Sequence, residues 1–190
     1  LCVLMPYTKL WLSDALLEMA REKADREGLW NLTLKAANAE LLEEVPAAHF
    51  HLATIRWGLM YMAAPIAALE RVRCALLTNG VLVAALWAEP ERVPYFTLPR
   101  RLLERYRRLP ALDCEAPGTF RYADLARVVR DFRDAGFSIN HVEEMDVPVF
   151  EAETAAEVVE WVRGLGLTRL LNDLPEDDQQ AWEKDLTRRL

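Results

Sequence analysis

Arg56 and Trp57 follow a short apolar-rich run at residues 50–55, and Trp87 closes another at residues 81–87. If both runs are parallel strands, these side chains stand where the ligand crevice of such a sheet opens, outside the carboxyl ends of its strands. A guanidinium and two indoles bring a cation, hydrogen-bond donors and flat apolar surface, a set suited to holding and orienting a small ligand. Tyr95 and Phe96 follow Trp87 closely enough to line an apolar pocket with it, and core packing is the competing role for each. Other constellations carry less. His49 and His51 stand at i,i+2, one face of a strand, but a metal site needs a third ligand and a supporting second layer that no spacing supplies. No motif places a Ser-His-Asp, Cys-His or paired-carboxylate set.

The elements that must position these residues follow from periodicity. Residues 7–12 read as a strand running into Ser13-Asp14, a helix-capping pair, and residues 14–27 as a helix with Leu16, Leu17, Ala20 and Ala24 on its apolar side and Gly28 at its end. Further strands are expected at 32–36, 50–55 and 81–87, the last a nearly continuous apolar run of the kind found in buried parallel strands. Between the last two, residues 65–77 form a helix, with Pro65 in its first turn and Ile66, Leu69, Val72 and Leu76 facing the core. Alternation of strand and helix calls for a parallel α/β sheet covered on both faces. Residues 89–118 change character: prolines accumulate, a basic helix spans 97–108, and the stretch reads as a lid or insertion. A helix at 122–135 stops at Gly136, residues 137–150 alternate as two antiparallel strands, and helices at 155–164 and 175–190 close a single domain spanning 1–190.

Composition bounds the function. With 52% apolar and 28% charged residues the chain is globular, and a net charge of -7 argues against nucleic acid as partner. The stripe of Arg100, Arg101, Arg105, Arg107 and Arg108 therefore reads as a solvated helix face. No apolar run approaches the roughly 20 residues of a membrane helix, and residues 1–6 lack the basic region of a signal peptide. Cys2, Cys74 and Cys114 are odd in number, widely spaced and without a C-x-x-C pair, which suits a reducing, cytoplasmic setting. Leu1 in place of methionine implies that the protein begins upstream.

Three stretches, in order, resemble class I S-adenosylmethionine-dependent methyltransferases of the ubiquinone/menaquinone-biosynthesis type. Leu12-Ser-Asp-Ala-Leu-Leu-Glu-Met-Ala-Arg-Glu-Lys-Ala is similar to the end of the family's second strand and the helix after it. Phe50-His-Leu-Ala-Thr-Ile-Arg-Trp-Gly-Leu-Met-Tyr-Met, with Ala67-Ala-Leu-Glu-Arg-Val-Arg-Cys-Ala-Leu-Leu-Thr-Asn-Gly-Val-Leu, resembles the fourth strand, its F-G-L turn, the next helix and the L-K-P-G-G entry to the fifth strand. Phe120-Arg-Tyr-Ala-Asp through Asp134-Ala-Gly-Phe resembles the helix and A-G-F entry to the final strands. The resemblance covers nearly the whole chain. It implies a Rossmann-like sheet, mostly parallel with an antiparallel final strand and helices on both faces. It also implies S-adenosylmethionine as cofactor and methyl transfer to a small, largely apolar molecule. Cofactor contacts are then expected from Trp11, Leu12, Asn38, Ala39, Ile55 and Arg56, and substrate contacts from Trp57, Met60, Tyr61, Trp87 and Tyr95. Such a transfer needs alignment of nucleophile and sulfonium more than an acid or base, so a missing catalytic pair does not count against it.

The sequence departs from the family in four places. The first strand and its glycine-rich D-x-G-x-G-x-G loop, where backbone must approach the cofactor closely, are not in the chain. Trp11 stands where an acid bonds the ribose hydroxyls, and losing that charge-assisted pair costs about 2–4 kcal/mol. Asn38 replaces the aspartate that accepts from adenine and keeps a carbonyl acceptor, while Leu76-Leu77-Thr78-Asn79-Gly80 loses the lysine and one glycine of its turn. Two readings therefore stay open: a methyltransferase, or the same fold without catalysis, used for ligand binding or assembly. A sheet lacking its central strand would leave unpaired inner edges, so a homo-oligomer is among the expected states.

Overall fold

The structure is a computed structural model that describes residues 14–35, 37–164 and 167–190. Among them the fold is mixed α/β, with seven α-helices and one sheet of two parallel strands, β1 (Phe50–Arg56) and β2 (Leu76–Ala85). The described chain divides into two compact units: the first takes residues up to Ala88 and Asp113–Val142, the second Glu89–Leu112 and Glu143–Leu190. The strand expected at 7–12 lies outside the described residues.

In the first unit, α1 (Asp14–Arg26) is followed by Gly28 at φ +68°, and the Leu29 N–H bonds the Ala24 carbonyl at 2.8 Å, so the left-handed glycine ends the helix. A parallel pair cannot be joined by a tight turn, and here the crossover is α2 (Pro65–Ala75), opened by Pro65 in its first turn. Ala68, Leu69 and Val72 of α2 are buried with Ile55, Leu59, Met60 and Leu76, and Leu82 and Ala84 of β2 pack on this core. Alternation along the strands does the rest. Ala53 with Leu82 and Ile55 with Ala84 share the packed face, whereas Leu52, Val81 and Val83 are about half exposed on the other. The helix at 122–135 is shorter than its pattern. It is α4 (Leu125–Asp134), capped by Asp124, whose carboxylate accepts from the Ala126 N–H at 2.8 Å, and it ends at Gly136 (φ +87°).

The register of the pair breaks once. Phe50 faces Leu76, but Leu52 faces Val81, and the extra β2 residues are taken up where Asn79 turns left-handed at φ +66°. Gly80 completes this bulge. A Cβ there would lie 2.9 Å from the Leu77 carbonyl oxygen and 3.2 Å from that of Phe50, both backbone atoms with little room to yield.

The second unit is helical: α3 (Pro94–Leu103), α5 (Ala155–Arg163), α6 (Thr168–Asn172) and α7 (Glu176–Thr187). Its core joins Leu102, Leu103, Val159, Val162, Leu171 and Leu186 around Trp182, whose indole N–H donates to the Pro99 carbonyl at 3.0 Å. Residues 89–112 of the expected lid thus belong to a packed unit with its own core, while 113–118 go with the first. Three of the stripe arginines form ion pairs within the unit: Arg100 with Glu104, Arg105 with Asp185 and Arg107 with Asp173. Thr154 caps α5 through the Glu157 N–H, and the Glu157 carboxylate accepts in return from the Thr154 hydroxyl at 2.9 Å and from the Glu153 N–H at 3.3 Å.

Two expected sheet segments are not strands. Residues 32–35 alternate in burial as a strand would, yet join no ladder among the described residues. Residues 137–150 contain no strand either, so the antiparallel final strand is not formed among the described residues. Side-chain alternation is not sufficient for a strand, because its backbone groups need a neighbouring edge. Glu144 is drawn into an ion pair with Arg92, Pro148 removes a donor, and the boundary between the units falls inside the segment, after Val142. Gly80→Ala is expected to lower stability by about 1–3 kcal/mol through overpacking, read as a lower urea midpoint at unchanged slope.

Candidate functional site

The carboxyl ends of β1 and β2 lie side by side because the strands are parallel, and this brings residues distant in sequence together. The Trp57 N–H donates to the Ala85 carbonyl at 3.0 Å, extending the ladder by one bond. At that residue the backbone turns left-handed, φ +53°, a genuine outlier for a bulky side chain. The turn aims the Trp57 ring at Trp87, and the indoles stack with centroids 4.6 Å apart and planes 6° from parallel. The Arg56 guanidinium carbon lies 5.0 Å from the Trp57 ring centroid in a cation–π contact. Arg56 is exposed, both indoles are half-buried and pack on the core, and Ile55 is buried beneath them. Arg56 has no ion-pair or hydrogen-bond partner among the described residues.

Beyond the crest, Gly58 leads into a 3-10 turn, Leu59–Tyr61, in which Leu59 and Met60 are fully buried. The segment at 118–122 is tied to it. The Met60 carbonyl accepts from the Gly118 N–H at 3.0 Å, the Tyr61 and Thr119 hydroxyls share a 3.0 Å hydrogen bond, and Arg121 donates to the Met62 carbonyl. Under this strap the Tyr122 hydroxyl donates to the buried Asp131 carboxylate at 3.0 Å. Arg130 pairs with Asp131 at 3.1 Å, and Arg127 stands 3.7 Å from Asp131 while donating to the Cys114 carbonyl at 3.0 Å. Burial, and after it the hydrogen bond to Asp131 and that residue's charge, push the Tyr122 phenol well above its usual pKa.

Asn38 forms a local turn: its side-chain oxygen accepts from the Glu40 N–H at 2.9 Å and keeps a second lone pair. Ala39 is buried in the core of the unit. Glu40 reaches the start of α2, its carboxylate accepting from the N–H groups of Ala63 and Ala64, where negative charge suits the helix dipole. Of the residues expected to bind ligand, the structure thus gathers Ile55, Arg56, Trp57 and Trp87 at one crest and places Met60 and Tyr61 in the turn after it. Tyr95 belongs to the second unit, where it packs on Phe96 at 4.4 Å and Trp161 at 4.9 Å. Trp11 and Leu12 lie outside the described residues. Glu40, Thr119, Arg121, Tyr122 and Asp131 escaped the sequence reading. No local signal in the sequence, where Asp124, Arg127 and Arg130 lie between Tyr122 and Asp131, singles out their pairing.

The second unit carries a groove of about 240 Å³ lined by Pro90, Glu91, Thr97, Arg100, Arg101, Glu104 and Leu112, in which charges of both signs balance. Among the described residues no group of three or more His, Cys, Asp or Glu is placed to hold a metal ion, and no helix is long and apolar enough to cross a membrane. No known protein family matches the chain, and no characterised protein matches it in sequence.

The left-handed turn at Trp57 reverses the usual ranking of small substitutions. Trp57→Ala loses the indole stack and keeps the unfavourable backbone, whereas Trp57→Gly loses the stack and relieves the strain. The glycine variant is therefore expected to be more stable than the alanine variant by about 1 kcal/mol in urea titrations. Tyr122 generates a pH dependence. Its pKa is raised on folding, so above about pH 10 the unfolded chain releases a proton that the folded chain retains, and stability falls as pH rises through that range. Tyr122→Phe is expected to be less stable at neutral pH and to show a shallower alkaline loss, measured by denaturation at successive pH values.

Proposed function

We propose that the protein is a methyltransferase-fold protein that uses S-adenosylmethionine to methylate a small, largely apolar molecule. One observation carries the reading. The β1–α2–β2 crossover ends in a crest where Arg56, Trp57 and Trp87 converge, and the crevice outside the carboxyl ends of parallel strands is where such sheets bind ligands. The ordered resemblance of the three sequence stretches supports it, as does a strained residue at the crest, a feature that clusters at functional sites. On this reading the two-stranded sheet belongs to a larger Rossmann-like one. The exposed Cys74 thiol suits a reducing, cytoplasmic setting.

The residues present are compatible with the cofactor. The indole pair offers π-surface of the kind that attracts a cation, and Asn38 keeps one free acceptor position. The cofactor would supply an electrophilic methyl group on sulfonium. The chain's own contribution is orientation and exclusion of water: the buried Ile55 gives the crest a dry base, the strap at 118–122 fixes the turn behind it, and the half-buried indoles shape an apolar wall. A second reading, the same fold serving assembly without catalysis, is favoured by the uncovered apolar face at Leu52, Val81 and Val83, a surface that a second copy of the chain can cover.

Titration calorimetry with S-adenosylmethionine and S-adenosylhomocysteine tests the first reading. Saturable heat with both and a rise in melting temperature are expected, and neither effect at millimolar ligand would remove it.

A further inference from the structure

Along a regular strand, consecutive side chains point to opposite faces of the sheet, so residues i and i+1 do not stack on each other. Arg56 and Trp57 break this rule, with the guanidinium carbon 5.0 Å from the neighbouring ring centroid. The left-handed turn at Trp57 accompanies this arrangement and brings its indole onto Trp87. Strain of this kind persists where the surrounding structure holds it, and here it yields a specific object: a guanidinium resting on a parallel pair of indoles.

Resting on the reading of the crest as the ligand site, we infer that this stack is a receptor for a carboxylate on a planar aromatic ring, which makes the small-molecule substrate an aromatic acid. Three features select that chemistry. The Arg56 guanidinium spends none of its donors on a described neighbour, and its paired N–H groups match the two oxygens of a carboxylate. The cation stands without a second one in the stack, which fits a monoanion better than a phosphate. The floor beside it is largely apolar: Ala85 pairs with Arg56 in the parallel ladder, and one pleat back on the same sheet face the exposed Val83 pairs with Thr54, the single polar residue of this floor, a surface on which an aromatic ring can lie.

A carboxylate is also present on S-adenosylhomocysteine, so the test separates the two sources. Calorimetry compares 4-hydroxybenzoate with its neutral isostere 4-hydroxybenzamide, and each with S-adenosylhomocysteine, on the wild type and on Arg56→Gln and Arg56→Lys. The acid is expected to bind the wild type at least about tenfold more tightly than the amide. Arg56→Gln should erase that difference, Arg56→Lys should keep part of it, and S-adenosylhomocysteine should bind all three alike. Equal binding of acid and amide by the wild type, or binding of neither, overturns the inference without any variant. So does an Arg56→Gln variant that retains the preference, or one that loses S-adenosylhomocysteine while keeping the aromatic acid, which would assign the guanidinium to the cofactor's carboxylate. Selective binding of the acid with no heat from S-adenosylhomocysteine would instead remove the methyltransferase reading and leave the receptor standing.

Discussion

The parallel pairing of β1 with β2 is the constraint on which the crest depends. Parallel strands start at the same end, so the chain must return along a crossover, and α2 fills that role while burying Ala68, Leu69 and Val72 against the sheet. Because the strands also finish at the same end, Trp57 and Trp87 meet although far apart in sequence. An antiparallel pair would put them at opposite ends. The same ladder supplies the bond from the Trp57 N–H to the Ala85 carbonyl that holds the chain where it turns left-handed. Packing of an apolar helix face thereby determines which side chains meet at the crest.

A second layer of constraint is polar. Asp131 is buried, and a buried carboxylate is costly unless its oxygens are paired. Tyr122 and Arg130 hydrogen-bond it, and Arg127 adds charge from 3.7 Å while tying α4 to the Cys114 carbonyl. The network fixes the start of α4 against the strap at 118–122, and the strap in turn holds the Leu59–Tyr61 turn through Met60, Tyr61 and Met62. The turn behind the crest is therefore set by interactions well removed from it in sequence. A helix with apolar residues alone at this position would pack, but it would leave the strap without its polar anchors.

Much of this was legible in the residues, and the misses share a cause. The α2 stripe, the β1 run and the glycine stops after α1 and α4 are local signals, and these elements form close to their expected bounds, whereas β2, expected at 81–87, runs from Leu76 to Ala85 and takes Leu76 out of the expected helix. Residues 32–35 and 137–150 carried the same kind of alternation and formed no ladder, because a strand also requires an edge to pair with, which is not a local property. The change of composition at Glu89 marked a boundary. That residues 143–190 return to pack with 89–112 was invisible, since it depends on Trp182 finding the Pro99 carbonyl across the sequence. At the crest, Arg56, Trp57 and Trp87 could be named from their positions at strand ends, but their mutual stacking could not. Nothing in a tryptophan announces a positive φ, which that residue type disfavours.

The stack also bears on how the protein tolerates its own strain. A left-handed tryptophan costs about 1–3 kcal/mol, comparable to the sum of an indole stack at about 0.5–1.5 kcal/mol and an exposed cation–π contact at about 0.5–1 kcal/mol. Locally the terms nearly cancel, so neither the rings nor the backbone alone explains the conformation. What decides it is the set of interactions that do not depend on the stack: the ladder bond to Ala85, the burial of Leu59 and Met60 just beyond, and the strap that bonds their turn. These hold residues 57–61 whether or not the indoles touch. With its geometry imposed by the scaffold, the stack is preorganised, and on the proposed reading little of the free energy of ligand binding would be spent on ordering it.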